Sequence, residues 1–119
     1  MRIGTISDIH VDINAEYPVL QTIAQVAGEK RVDLLIVAGD IAEVPNRSLV
    51  FLKRLKKLCS CGVCFVPGNH DLWNKNSLQK DNDEIYSAFL ADDSCLCGRS
   101  VVLGSGKNSI ALTGDTGWY

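Results

Sequence analysis

Three short clusters of polar residues carry side chains that could bind metal ions. The first is Ser7-Asp8-Ile9-His10, the second is Gly39-Asp40, and the third is Gly68-Asn69-His70-Asp71. Carboxylate and imidazole groups are ligands for ions such as Mn²⁺, Fe²⁺ and Zn²⁺. Both histidines of the chain fall within these clusters, which favours a shared site over three unrelated turns.

The spacing of the clusters matches the length of a β-α-β unit. Asp8 and Asp40 lie 32 residues apart (40 − 8), and Asp40 and Asn69 lie 29 apart (69 − 40). One such unit takes ~30 residues. Ligands of open parallel sheets bind beyond the carboxyl ends of the strands. We therefore expect the clusters to meet at one edge of a sheet, with Gly39 and Gly68 allowing tight turns there.

The segments between the clusters alternate between strand and helix patterns. Apolar runs predict strands at 2–6, 32–38 and 63–66. Apolar residues at helical spacing predict an amphipathic helix over 16–28, and leucines every three residues over 49–58 predict a second one. This βαβαβ order is typical of an α/β fold with a parallel sheet and right-handed crossovers.

The second half of the chain has weaker patterns. The polar segment 72–81 predicts a loop, and 82–91 predicts a helix. Strands are predicted at 100–104 and 109–113, joined by a hairpin turn that contains Gly104-Ser105-Gly106-Lys107. This turn resembles the end of a phosphate-binding loop, but it lacks the first glycine and the Ser or Thr that such a loop needs.

Length and composition indicate one folded domain, residues 1–119. The chain is 46% hydrophobic, which is enough for a packed core. Its net charge of −2 gives no broad basic field for nucleic acid or for an anionic membrane. We see neither a signal-peptide pattern nor an apolar run near the ~18 residues of a membrane span. We therefore expect a cytoplasmic protein that binds neither nucleic acid nor a membrane.

An odd number of cysteines predicts reduced thiols rather than a disulfide framework. The five are Cys59, Cys61, Cys64, Cys95 and Cys97. Their spacing is also compatible with a zinc or redox site, but only if the two groups meet in space. Cys64 falls within a predicted strand, where a cysteine packs as a small apolar residue. We therefore prefer the packing interpretation.

The order Asp8-x-His10, Gly39-Asp40 and Gly68-Asn69-His70-Asp71 resembles the motifs of the calcineurin-like metallophosphoesterase family. This resemblance covers residues 1 to about 75. The segment 113–119, together with Asp8 to Asp12, is similar to a bacterial phosphoesterase subgroup of that family. The family fold is a four-layer αββα sandwich about twice as long. The resemblance therefore implies that this chain forms the N-terminal half of such a sandwich.

The resemblance further implies a hydrolase with two divalent ions, Mn, Fe or Zn. It implies cleavage of a phosphomonoester or phosphodiester substrate by attack of a metal-bound hydroxide. Asp8 and His10 are implied to bind the first ion, and Asp40 to bridge both ions. Asn69 is implied to bind the second ion.

The same motif implies two catalytic residues. His70 would face the scissile phosphate and stabilise charge or protonate the leaving group. Asp71 would hold the imidazole of His70 in orientation.

The chain departs from the family pattern because no histidine follows His70. Family members have further histidine ligands in their second half. We therefore expect a truncated domain whose isolated activity is weak or absent. The alternative is a non-catalytic half-domain that binds metal or a partner. The uncovered part of its sheet would favour self-association.

Overall fold

A computed structural model describes residues 1–73 and 81–117 of the chain. The elements in chain order are β1 (Ile3–Ile6), α1 (Val19–Glu29), β2 (Leu34–Ala38), α2 (Pro45–Leu58), β3 (Gly62–Val66), α3 (Asn69–Leu72), α4 (Asn82–Leu90), β4 (Ser100–Leu103), a 3₁₀ turn (Gly106–Asn108) and β5 (Ile110–Thr113). The α/β prediction is confirmed. Residues 74–80 of the predicted loop, and residues 118–119 of the terminal segment, lie outside the described residues.

The first three strands form a parallel sheet in the order β1-β2-β3. Ile3 pairs with Leu34, and Leu34 pairs with Gly62. β2 is therefore central, which explains why its sequence is apolar on both faces. β4 and β5 pair as an antiparallel hairpin, as their sequence predicts. β1 lies at the edge of the described sheet.

The alternation of side chains along the strands divides the core between two faces. On one face, side chains from the helices pack against the sheet: Ile23, Phe51, Leu52 and Leu55 against Leu35, Val37, Val63 and Phe65. On the other face, the hairpin and the residue Leu96 before it cover the sheet. Their side chains pack with those of the sheet in one cluster: Leu96, Val101, Leu103 and Leu112 with Leu34, Ile36, Cys64 and Val66. A helix layer, a parallel sheet and a second sheet are consistent with the N-terminal half of an αββα sandwich.

Two prolines explain where the helices on this sheet begin. α1 begins at Val19 rather than at residue 16 because Pro18 disfavours a helical conformation at Tyr17. α2 begins at Pro45, before its leucine repeat, because proline suits the first helical position. The start of α2 follows the second polar cluster directly and so brings residues 41–44 to the sheet edge.

Residues 94–96 form a parallel bridge with Phe65 of β3, which the sequence did not predict. The amide of Phe65 donates to Ser94 O at 3.0 Å, and the amide of Leu96 donates to Phe65 O at 2.9 Å. Lys56 of α2 pairs with Asp92 at 2.5 Å, just before this segment. These contacts attach the hairpin region to the β1-β2-β3 sheet.

The five cysteines lie as free thiols. Cys64, Cys95 and Cys97 are buried. No group of three convergent His, Cys, Asp or Glu donors within residues 1–73 and 81–117 contains a cysteine. Burial, with the neighbouring Cys61, raises the pKa of Cys59 to about 11. This arrangement agrees with the packing interpretation.

Across residues 1–73 and 81–117, no helix combines the length and the apolar character needed to cross a bilayer.

Candidate metal centre

The candidate metal ligands have unusual backbone conformations. Asp8, His10 and Asp40 have φ values of 55°, 43° and 53°. Residues other than glycine rarely adopt this left-handed region, and each instance costs ~1–3 kcal/mol. Arg31 is the only other non-glycine residue with positive φ in the described part of the chain. Backbone strain is therefore concentrated where the sequence places the metal ligands.

The loops after β1 and β2 remain paired beyond the ends of the strands. The amide of Asp8 donates to Gly39 O at 3.2 Å, and the amide of His10 donates to Asp40 O at 3.0 Å. This pairing holds the two loops side by side. The ligand atoms of Asp8, His10 and Asp40 consequently lie within 4.8 Å of one another.

The loop after β3 approaches Asp40 so closely that only glycine fits at one position. A Cβ atom on Gly68 would lie 2.2 Å from Oδ1 of Asp40. Gly39 has a φ of 85°, and a Cβ there would lie 2.8 Å from the Cα of Gly68. Asn69 follows Gly68 as the first, half-buried residue of α3. The three sequence clusters therefore meet at one edge of the sheet.

Asp71 has different contacts from those expected. Its side chain is fully buried. It accepts four hydrogen bonds, from Ile41 N, Ala42 N, Ser48 Oγ and Gly68 N. None of these bonds involves the His70 imidazole, because the carboxylate turns back towards the start of α3 and the loop after β2. Asp71 thus joins the second and third clusters to each other.

Burial raises the pKa of Asp71 above its ordinary value, and the hydrogen bonds from Ser48, Gly68 and the two loop amides act in the opposite direction. All four donors point at one carboxylate. The side chain therefore fixes the position of the loop backbone beneath the candidate ligands.

Glu43 is the carboxylate that contacts the His70 imidazole. Its Oε1 contacts Nδ1 of His70 and lies 3.4 Å from Nδ1 of His10. The amide of Glu43 donates to Oδ2 of Asp12 at 2.8 Å, which fixes this loop against the first one. The sequence motifs did not point to Glu43. Its position three residues after Asp40, just before α2, is the signal that could have found it.

The imidazole of His70 lies between two rings. Its centroid is 4.9 Å from that of His10 at an interplanar angle of 87°, and 4.0 Å from that of Trp73. The side chains of His10, Glu43 and His70 are 21–25% exposed. Solvent ions and small solutes can therefore reach this group.

The donors suit a divalent ion. Two carboxylates and one imidazole converge at Asp8, Asp40 and His10, and such mixed oxygen and nitrogen sets accept Mn²⁺, Fe²⁺ or Zn²⁺. The close pairing of the loops holds these donors together without a ligand. The residues therefore fit the metal that the motifs imply.

A comparison with protein families agrees with this geometry. The family model for calcineurin-like phosphoesterases matches residues 1–116. The chain belongs to the calcineurin-like phosphoesterase family. No curated protein matches the chain. The family match extends past the polar clusters of this calcineurin-like phosphoesterase and includes its β4–β5 hairpin.

Proposed function

We propose that this chain carries the metal site of a phosphoesterase that hydrolyses phosphomonoesters or phosphodiesters. Two divalent ions, Mn, Fe or Zn, would be held by Asp8, His10, Asp40 and Asn69. The observation that supports this most directly is the convergence of Asp8, His10 and Asp40 within 4.8 Å. Membership of the family supplies the reaction class.

Bound ions would activate water and neutralise the charge of the phosphoester. Two divalent ions contribute +4, and Asp8 with Asp40 contributes −2. The centre would therefore attract an anionic substrate although the whole chain has a net charge of −2. The neutral amide of Asn69 preserves this surplus.

His70 would transfer a proton to the leaving group. Contact between its Nδ1 and Glu43 leaves Nε2 as the ring nitrogen available to a leaving group. Glu43 thereby selects the tautomer and limits rotation of the ring. Asp71 acts at a distance, because it holds the loop that carries His70.

The test is Mn²⁺-dependent hydrolysis of bis-p-nitrophenyl phosphate by the purified chain and by Asp40→Asn. The asparagine keeps an acceptor for the amide of His70, so the loop contact can persist while the charge is lost. Asp93→Asn is the matched control, because Asp93 is fully exposed and distant in sequence from the clusters. Because the chain lacks the later histidine ligands of the family, we expect only weak hydrolysis, and we expect it to be lost in Asp40→Asn and retained in Asp93→Asn.

Equal rates in the parent chain and in Asp40→Asn would contradict the proposal. A second candidate is metal binding without catalysis, which the two-histidine content of the chain favours. In that case Mn²⁺ would stabilise the chain against heat in an Asp40-dependent way, and no hydrolysis would accompany it.

We also propose that the protein is cytoplasmic and that copies associate through the sheet edge at β1. The free thiols support the first proposal. The edge position of β1 supports the second, because an edge strand has unpaired backbone groups. Sedimentation velocity over a concentration series tests the association, and a constant monomer mass would exclude it.

A further inference from the structure

Glu43 lies between the two histidines of the chain and outside the ligand set proposed above. Its Oε1 lies 3.4 Å from Nδ1 of His10 and contacts Nδ1 of His70. The ligand atoms of these three side chains lie within 4.8 Å of one another. Glu43 therefore completes a second group of three convergent donors.

The spacing within this group is close to that of ligands around zinc. Zinc–ligand bonds of ~2.0–2.1 Å place tetrahedral ligand atoms about 3.3 Å apart. The distance of 3.4 Å between His10 and Glu43 matches this value. The contact of His70 with Glu43 is closer and must lengthen around an ion. The two imidazoles meet edge to face, which allows one nitrogen of each ring to face the same carboxylate.

One nitrogen in the group has no hydrogen bond. Nδ1 of His10 is enclosed and lacks a hydrogen-bond partner within the described residues. Leaving such a buried polar atom unsatisfied costs ~1–3 kcal/mol. A bound cation would satisfy this nitrogen. It could enter from solvent, because each of the three side chains is more than a fifth exposed.

The backbone that carries each donor is held in place. The amide of His10 donates to Asp40 O at 3.0 Å, and the amide of His70 donates to Asp40 Oδ1 at 3.1 Å. The amide of Glu43 donates to Asp12 Oδ2 at 2.8 Å. Only side-chain adjustment is therefore needed to bind an ion, which lowers the entropic cost of forming the site.

We propose that His10, Glu43 and His70 form a second metal site that prefers Zn²⁺ to Mn²⁺ and that inhibits the enzyme when it is filled. Two histidines and one carboxylate are a ligand set of catalytic zinc sites. Asp8 and Asp40 make the first centre richer in oxygen, which suits Mn²⁺.

The inhibition follows from the shared residues. His10 belongs to both donor groups, so an ion in one competes with an ion in the other. A zinc ion on Nδ1 of His70 would take the place of the proton there, so the ring could not become the imidazolium that donates from Nε2. The inhibitory effect rests on the proposed function, whereas zinc binding itself does not.

The experiment is Co²⁺ titration of the untagged, reduced chain, followed by Zn²⁺ displacement to obtain the zinc affinity. The variants are Glu43→Gln and His70→Asn, with Glu29→Gln at the exposed end of α1 as the matched control. We expect each of the first two to weaken Zn²⁺ binding by about tenfold or more, because losing even an outer partner of a metal ligand costs ~10–100-fold. The control should bind as the parent does.

Asp40→Asn distinguishes the two sites. We expect it to lose Mn²⁺-induced thermal stabilisation and to keep Zn²⁺ binding, whereas Glu43→Gln should show the reverse. Circular dichroism checks that each variant is folded. If either Glu43→Gln or His70→Asn unfolds, the Zn²⁺ affinity of the other variant tests the proposal.

Unchanged Zn²⁺ affinity in the folded Glu43→Gln or His70→Asn chain overturns the proposal. Thiolate-to-cobalt charge-transfer absorption would overturn it too, since it would place the ion on the cysteines. Absence of Mn²⁺-supported hydrolysis, with the zinc result intact, would count against the proposed function alone.

Discussion

The amide of His70 donates a 3.1 Å hydrogen bond to Oδ1 of Asp40. This bond connects the third polar cluster to the second across 30 residues of sequence. It also orients the carboxylate that would hold ions in the proposed centre. The position of His70 therefore depends on the same side chain that would hold the ions.

Gly68→Ala should disrupt the site through a steric clash. The added methyl group would lie 2.2 Å from Oδ1 of Asp40 and 2.5 Å from its amide, so the loop must move. We expect a loss of ~2 kcal/mol or more in the free energy of unfolding, as for other overpacked sites. Urea denaturation measures this loss, and Mn²⁺ stabilisation should also disappear.

Gly28→Ala is the matched control for that substitution. A Cβ at Gly28 would meet nothing within 4 Å, and the residue lies in α1. Alanine favours a helix over glycine by ~0.5–1 kcal/mol, so this variant should gain stability. A similar loss in both glycine variants would show that the contact with Asp40 is not the cause.

Asp8→Gly should raise stability while it removes metal binding. Glycine accepts the φ of 55° at this position without strain, which returns about 1 kcal/mol. The lost carboxylate should abolish the stabilisation by Mn²⁺, which amounts to ~2.7 kcal/mol in the free energy of unfolding when the ion is present at 100 times its Kd. Differential scanning fluorimetry with and without Mn²⁺ measures both effects.

Arg31→Gly separates the two effects, because Arg31 has a φ of 51° away from the clusters. The Arg31→Gly chain should gain a similar amount of stability, and Mn²⁺ should still raise its melting temperature. An Asp8→Gly chain that still responds to Mn²⁺ would exclude Asp8 as an essential ligand.

Asp71→Asn should destabilise the chain although the change in shape is small. The carboxylate accepts bonds from donors on both of its oxygens. An asparagine side chain accepts hydrogen bonds only at its oxygen. Its NH₂ group would therefore point at one of the groups that now donate to Asp71. We expect a loss of ~1–3 kcal/mol, measured by urea denaturation. An unchanged midpoint would refute the structural role assigned to Asp71.

Asp92→Asn should reduce stability at neutral pH and have little effect in acid. Burial tends to raise the pKa of Asp92, but the hydrogen bonds from Lys56 and Ser94 outweigh it and hold the pKa below its ordinary value. The folded chain thus binds fewer protons than the unfolded chain, whose Asp pKa is ~3.9. The contribution is present above about pH 4 and is lost as the pH falls through the folded-state pKa.

The expected difference between Asp92→Asn and the parent chain is about 1 kcal/mol at pH 7, because the Lys56 pair is only partly buried. Thermal unfolding from pH 7 to pH 3 should show this difference shrinking. Asp93→Asn is the neighbouring control, since Asp93 is fully exposed and should show no such trend.

Much of the fold could be predicted because local patterns encode it. β2 is recognisable from its apolar run, and the leucines of α2 from their spacing. Parallel β-α-β units place strand ends on one edge, so the convergence of Asp8, Asp40 and His10 followed from topology. The segment 94–96 was missed, because its pairing with β3 depends on tertiary contacts rather than on a period.

The sequence by itself determined which donor types are present, their order along the chain and the sheet edge at which they meet. Only the tertiary structure decided which carboxylate faces which imidazole. Glu43 contacts His70 although the two lie 27 residues apart in the sequence. Asp71, which is adjacent to His70 in the sequence, instead accepts hydrogen bonds from the amides of Ile41 and Ala42, about 30 residues away. The physical reason is that loop direction and burial select these partners, and neither is encoded in residue spacing.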